Sequence, residues 1–240
     1  MASISIAVIN ASTVVDDAAV PPVVAALQRQ VHEHFYPAWG VDADLAVVPK
    51  GQKPASGAWW LAILDNSDQA GALGYHDLTT DGLPLGKVFA KTDQQYGEDW
   101  AVTASHELLE MLGDPNINLA VLDEAETGGG RLYAYEVCDA CEADQFAYAI
   151  DGVKVSDFVY PSWFESFRKA GSTQFDYQSR IRQPFQLLPG GYIGVYDISS
   201  GSGWTQITAD KHNFRARPPL GSRRERRSVP ARERILSTVK

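Results

Sequence analysis

The chain has 240 residues, 45% of them hydrophobic, and a formal net charge of −9. That suffices for one large domain, or one domain with an extension, and no apolar run reaches the length of a membrane span. Cys138 and Cys141 form a single Cys-x-x-Cys, and the second pair that a zinc ribbon needs is absent. The acidic residues around the pair raise thiol pKa values and disfavour redox catalysis, so a local brace or two free thiols is expected. The charge is unevenly placed: residues 1–210 hold 11 Lys+Arg against 28 Asp+Glu (−17), and residues 211–240 hold 10 against 2 (+8). The N-terminus has no basic stretch leading an apolar one, so the expected location is the cytoplasm or a particle assembled there.

In chain order, Ile4, Ile6 and Val8 alternate as in a half-buried strand. Val23, Val24, Leu27, Val31 and Phe35 fall at helical spacing, which predicts a helix over 20–36 that Pro37 ends. His32 and His34 are two apart and read as surface residues. Residues 43–49 predict a short strand. The run Ala58 to Leu64 is apolar throughout and suits a central strand covered on both faces. Residues 70–86 read as Gly-rich and irregular, with His76 structural or cleft-lining. Lys87 to Lys91 reads as an edge strand charged at both ends, and 92–97 as a lead-in.

Trp100 to Pro115 reads as one buried helix. His106 and Glu110 share a face one turn apart, and Glu107 lies about 100° around. Gly113 is expected to stop the helix in a left-handed conformation, and Pro115 to prevent its resumption. Beyond it the chain is loop-rich. Asp123, Glu124 and Glu126 precede a Gly-rich surface turn at 127–130. Tyr133 to Asp139 is a short strand or ordered loop. A hairpin is expected over 146–155 with Asp151-Gly152 as its turn, and a second over 189–207. The aromatic segment 159–164 should pack under the site. Residues 211–240, with Arg223-Arg224-Glu225-Arg226-Arg227, read as a basic arm. Residues 213–240 suit an acidic protein surface, including a neighbouring copy in an assembly or homo-oligomer, or nucleic acid.

A histidine and two carboxylates on a buried helix cost desolvation that a cation would offset. The sequence Ser105-His106-Glu107-x-x-Glu110 resembles the His-Glu-x-x-His helix of the zincin-like metallopeptidases, with Glu110 in place of the second histidine. With Asp114-Pro115, Glu136-x-x-Asp139 and Tyr160-Pro161-Ser162-Trp163 it is similar to an uncharacterised bacterial and phage family of that superfamily. The resemblance implies an α+β fold: a twisted mixed sheet with a backing helix and an active-site helix. It implies a domain over 1–210, in parts 1–115 and 116–210, followed by the arm. It also implies metal bound by His106 and Glu110, with a third ligand from Glu136, Asp139 or Asp114 and Glu107 as general base. Zn2+ is the expected cofactor, and the carboxylate-rich set admits Mn2+ or Ca2+. Tyr133, Tyr135, Tyr148 and Tyr160 are candidates to steady an oxyanion. Peptide or protein cleavage is the expected activity. The alternative is a non-catalytic structural or binding protein on the same fold, such as a phage-particle component.

Overall fold

A computed structural model describes residues 4–69, 71–124, 129–200 and 203–209. The basic arm lies outside the described residues, as do Glu126, Thr127 and Gly128.

The fold is α+β. Strands β1 (Ile4–Asn10), β2 (Ala43–Val47), β3 (Trp59–Leu64), β4 (Gly74–Leu78) and β5 (Pro84–Phe89) form one sheet in the order β2-β1-β3-β5-β4. All neighbouring pairs are parallel except β4–β5, which is antiparallel. β3 is central, as its apolar run predicts. Its alternation sends Leu61 and Ile63 into the main core and Trp60 and Ala62 into a smaller cluster with Ala7, Ile9 and Leu85.

Four sequence expectations are corrected here. The edge strand is β4, from the stretch read as irregular, and Lys87 lies buried within β5 rather than at a solvated edge. Its amine is held by Asp68, Asp77 and the Tyr75 hydroxyl, so the charge is paired inside the protein. The strands β4 and β5 are joined through Asp81-Gly82, with Gly82 at φ +78°, a conformation glycine adopts at no steric cost. Third, Pro37 does not end the first helix. α1 (Val20–Arg29) runs on through a π-helical turn (Gln30–Phe35) into α2 (Tyr36–Trp39), where Pro37 sits in the first turn and needs no N–H partner. Gly40, at φ +71°, closes it. Residues expected to lead in to the next helix are themselves helical, as α3 (Ala90–Tyr96).

α4 (Trp100–Gly113) is the expected buried helix, capped by the Asp99 carboxylate accepting from Ala101 N–H at 3.0 Å. It packs on β4 and β5 on one side and on β9 (Val153–Val155) on another. Gly113 is its last residue without a left-handed φ; Asp114 is the C-cap. Glycine serves there because a Cβ would stand 3.1 Å from Val137 Cγ1. The helix is fixed in register by a buried polar link. Ser105 Oγ donates to Gln30 Oε1 at 2.7 Å and accepts from Ser156 N–H at 2.9 Å, while Gln30 Nε2 donates to the Ser156 carbonyl at 2.8 Å. Buried polar groups are thereby satisfied across three elements.

The second half is more ordered than expected. β6 (Ala120–Glu124), β7 (Gly130–Ala134), β10 (Tyr192–Asp197) and β11 (Trp204–Thr208) make an antiparallel sheet in the order β11-β10-β7-β6. Asp123 and Glu124, which precede the expected turn, end the strand β6. The β8 (Tyr148–Ile150) to β9 hairpin turns at Asp151 (φ +49°) and Gly152 (φ +83°), as its sequence predicts. One hydrophobic core runs from Ile6 to Val195 and draws on both halves of 1–210. No helix among the described residues is long and apolar enough to cross a membrane.

Candidate metal centre

α4 turns His106, Glu107 and Glu110 inward, and none is more than 8% exposed. β4 supplies His76 from the opposite side. Alternation along β4 puts Gly74 and His76 toward the helix, while Tyr75 and Asp77 face Lys87 behind the sheet. The segment after β7 brings Glu136 and Asp139, both buried.

These side chains meet in one place. His76 Nδ1 lies 3.8 Å from Glu107 Oε2 and 3.6 Å from Glu110 Oε2, and its Nε2 lies 3.8 Å from Glu136 Oε2. His106 Nε2 lies 3.3 Å from Glu110 Oε1 and 3.4 Å from Asp139 Oδ1. Two metal-competent groups result: His76, Glu110 and Glu136, all buried, and His106, Asp139 and the half-buried Glu142. Cys138 N–H donates to Glu110 Oε1 at 3.3 Å, tying the downstream segment to the helix.

The electrostatics follow from this packing. Burial opposes a charge on His106, but Glu110 and Asp139 outweigh it and hold the imidazolium well above the ordinary histidine range. Burial likewise opposes charge on Glu110, and His106 and His76 hold it well below the usual carboxylate range. Burial pushes the thiols of Cys138 and Cys141 up, so both are unreactive. They are free rather than bridged.

The donor set fits a divalent cation. With bonds of about 2.0–2.1 Å, neighbouring ligands of a tetrahedral zinc stand about 3.4 Å apart. The His106–Glu110 and His106–Asp139 spacings of 3.3 and 3.4 Å match that edge. Glu107 Oε2 accepts no hydrogen bond. Around Glu107 the sheet is pared to backbone: a Cβ on Gly74 would come within 2.7 Å of its Cγ and Oε1, and one on Gly86 within 3.6 Å of its Cβ.

No family model, curated protein or solved structure matches the chain. The residues themselves therefore carry the functional reading.

Of the residues singled out from sequence, His106, Glu107, Glu110, Glu136 and Asp139 converge. Asp114 is turned away into its loop, where its two oxygens accept from Asn118 and Leu119 N–H at 3.0 Å each. Glu136 faces His76 rather than His106. His76 itself, set aside as structural, is at the heart of the cluster. The signals for it were the Asp81-Gly82 turn and the small residue two positions before it. The rings of the tyrosines considered for an oxyanion pack against other aromatic side chains. Tyr133 stacks on Phe185, Tyr135 on Phe164, and Tyr160 packs on Phe158. The Tyr148 hydroxyl meets His34 Nδ1 at 2.9 Å. The aromatic segment 159–164 thus supports Tyr135, next to Glu136. His34 is half-buried and stacks on Tyr177, whereas His32 is at the surface, paired with Asp42.

Proposed function

We propose that the protein is a metal-dependent hydrolase of peptide or amide bonds with a zincin-like site. The observation that carries this reading is the convergence of His106, Glu107 and Glu110 from one helix with Asp139, His76 and Glu136, in a space where Glu107 Oε2 accepts no hydrogen bond. His106, Glu110 and a downstream carboxylate would hold the cation. The 3.3–3.4 Å spacings favour Zn2+, and the carboxylate excess keeps Mn2+ and Ca2+ competitive. When bound, such an ion polarises a carbonyl and makes water acidic enough to attack at neutral pH. Glu107 then serves as general base: its free oxygen takes the proton of the attacking water and returns it to the leaving nitrogen. The antiparallel edge strand β4 beside the helix is the sheet element that an extended peptide would approach.

Metal analysis of the purified chain, with Glu107→Gln assayed on casein and a peptide library, tests this. Bound metal in both proteins and cleavage by the wild type alone are expected. Cleavage unaffected by Glu107→Gln would sink the assignment.

A second reading has its own support. Every one of these six side chains is buried, His76 completely, which also suits a closed structural ion in a non-catalytic protein, such as a component of a phage or other particle. In that case the metal raises the melting temperature, no peptide is cleaved, and removal of residues 213–240 abolishes assembly through the basic arm on an acidic surface or nucleic acid.

A further inference from the structure

Glu110 divides its carboxylate between two histidines carried on different elements. Oε1 faces His106 Nε2 at 3.3 Å and Oε2 faces His76 Nδ1 at 3.6 Å. Each histidine has further carboxylates of its own: Glu136 for His76, and Asp139 with Glu142 for His106. We propose that the cluster is a two-cation centre. Glu110 bridges one divalent ion held by His76 and Glu136 and a second held by His106, Asp139 and Glu142. The proposal rests on the metal-binding part of the function above and goes beyond it in the number and arrangement of ions.

Charge argues for the second ion. Ligating histidines are neutral, so Glu107, Glu110, Glu136 and Asp139 place four formal negative charges in a space almost closed to water. One divalent ion offsets two of these charges, and a buried excess of like charge is costly. Two divalent ions balance the four buried charges and leave only the half-buried Glu142 to solvent.

Donor placement argues the same way. The donors fall into two groups on either side of Glu110 rather than one ring around it, and a carboxylate with its oxygens turned to separate groups is the bridging arrangement of two-metal hydrolase sites. Whichever ring nitrogen of His76 ligates, the other still meets a carboxylate, Glu136 on one side or Glu107 and Glu110 on the other. Independently of the acidic cluster, Glu107 is 4% exposed and turns an oxygen without a hydrogen bond toward His76. That oxygen points into the His76-side group, where a cation and its bound water would satisfy it.

The test is a Mn2+ titration of the full chain after chelator treatment, followed by metal analysis and electron paramagnetic resonance. Two equivalents are expected, with an isolated six-line signal at low loading that broadens through coupling at full loading. The Asp139→Asn/Glu142→Gln double variant and His76→Gln should each retain one equivalent and keep the isolated signal at saturation. Saturation of the wild type at one equivalent, without coupling, overturns the two-cation centre and leaves the metal-binding reading standing. No retained Mn2+ or Zn2+ overturns both. Should the variants misfold by circular dichroism, the wild-type stoichiometry and coupling decide alone.

Discussion

Gly74 lies directly over Glu107: a Cβ on this glycine would stand 2.7 Å from the glutamate's Cγ and Oε1 and equally close to Thr103 Cγ2. The edge strand and the helix are in contact at the carboxylate proposed as general base. Gly74→Ala should therefore displace Glu107 before it disrupts the fold. We expect a stability loss of about 1–3 kcal/mol, the usual cost of overpacking, with a larger proportional fall in kcat of peptide cleavage than in metal content. Denaturant unfolding, metal analysis and kinetics on one preparation measure all three. Unchanged kcat would show that Glu107 is not held from above by β4.

Lys87 sits behind the same edge, 1% exposed, with its amine 3.2 Å from Asp68 and 3.9 Å from Asp77. Asp77 is itself buried. Lys87→Met would leave a buried carboxylate without its cation, a change that costs about 3–5 kcal/mol in comparable buried pairs. Lys87→Met with Asp77→Asn should recover much of that loss, since the buried carboxylate is then neutral and only the partly exposed Asp68 keeps its charge. Urea unfolding of the single and double variants provides the comparison, and a double variant as unstable as the single one would refute the pairing.

How far the sequence discloses this fold depends on whether the signal is local. α4 is legible because its twelve buried positions, 101–112, set His106, Glu107 and Glu110 into a largely apolar run that ends at Gly113 before Pro115. β3 is legible from its apolar run. The edge of the sheet is not, because Lys87 looks solvated until Asp68, Tyr75 and Asp77 are brought to it by chain folding. His76 was hidden for the same reason: the residues that give it meaning, Glu110 and Glu136, are 34 and 60 positions away. The Glu136-x-x-Asp139 spacing was readable as ligands, but not that its two members face different histidines.

The serine of Ser105-His106-Glu107 has a role that its motif does not reveal. Its hydroxyl joins Gln30 and Ser156, both buried, at 2.7 and 2.9 Å. Ser105→Ala would strand one buried acceptor and one buried donor, each worth about 1–3 kcal/mol when unsatisfied. A destabilisation of about 2–4 kcal/mol is expected by chemical denaturation, with metal stoichiometry unchanged in the folded protein. A neutral effect would show that the link between the first helix and α4 is dispensable.

Asp157 and Asp176 form a buried acidic pair away from the metal centre. Asp157 Oδ1 accepts from Phe158 N–H at 2.8 Å and Gln178 N–H at 3.2 Å, and Asp176 accepts from Arg180 and Ile181 N–H at 2.9 Å each. Burial, then the charge and hydrogen bond of Asp176, push the Asp157 carboxyl up to about 8. A proton is thus retained in the folded state at a pH where the unfolded chain, with an ordinary value near 4, has released it. The folded state binds more protons between these limits, so the contribution of Asp157 to stability is complete below about pH 4, falls as pH rises and is gone above about pH 8. Asp157→Asn keeps the accepting oxygen, and its amide donates to Asp176 in place of the shared proton. The variant should match the wild type in acid and exceed it by a few kcal/mol at pH 9, with a flatter stability profile between. Equilibrium unfolding at intervals from pH 5 to 9 measures the difference, and parallel profiles for the two proteins would refute the shared proton.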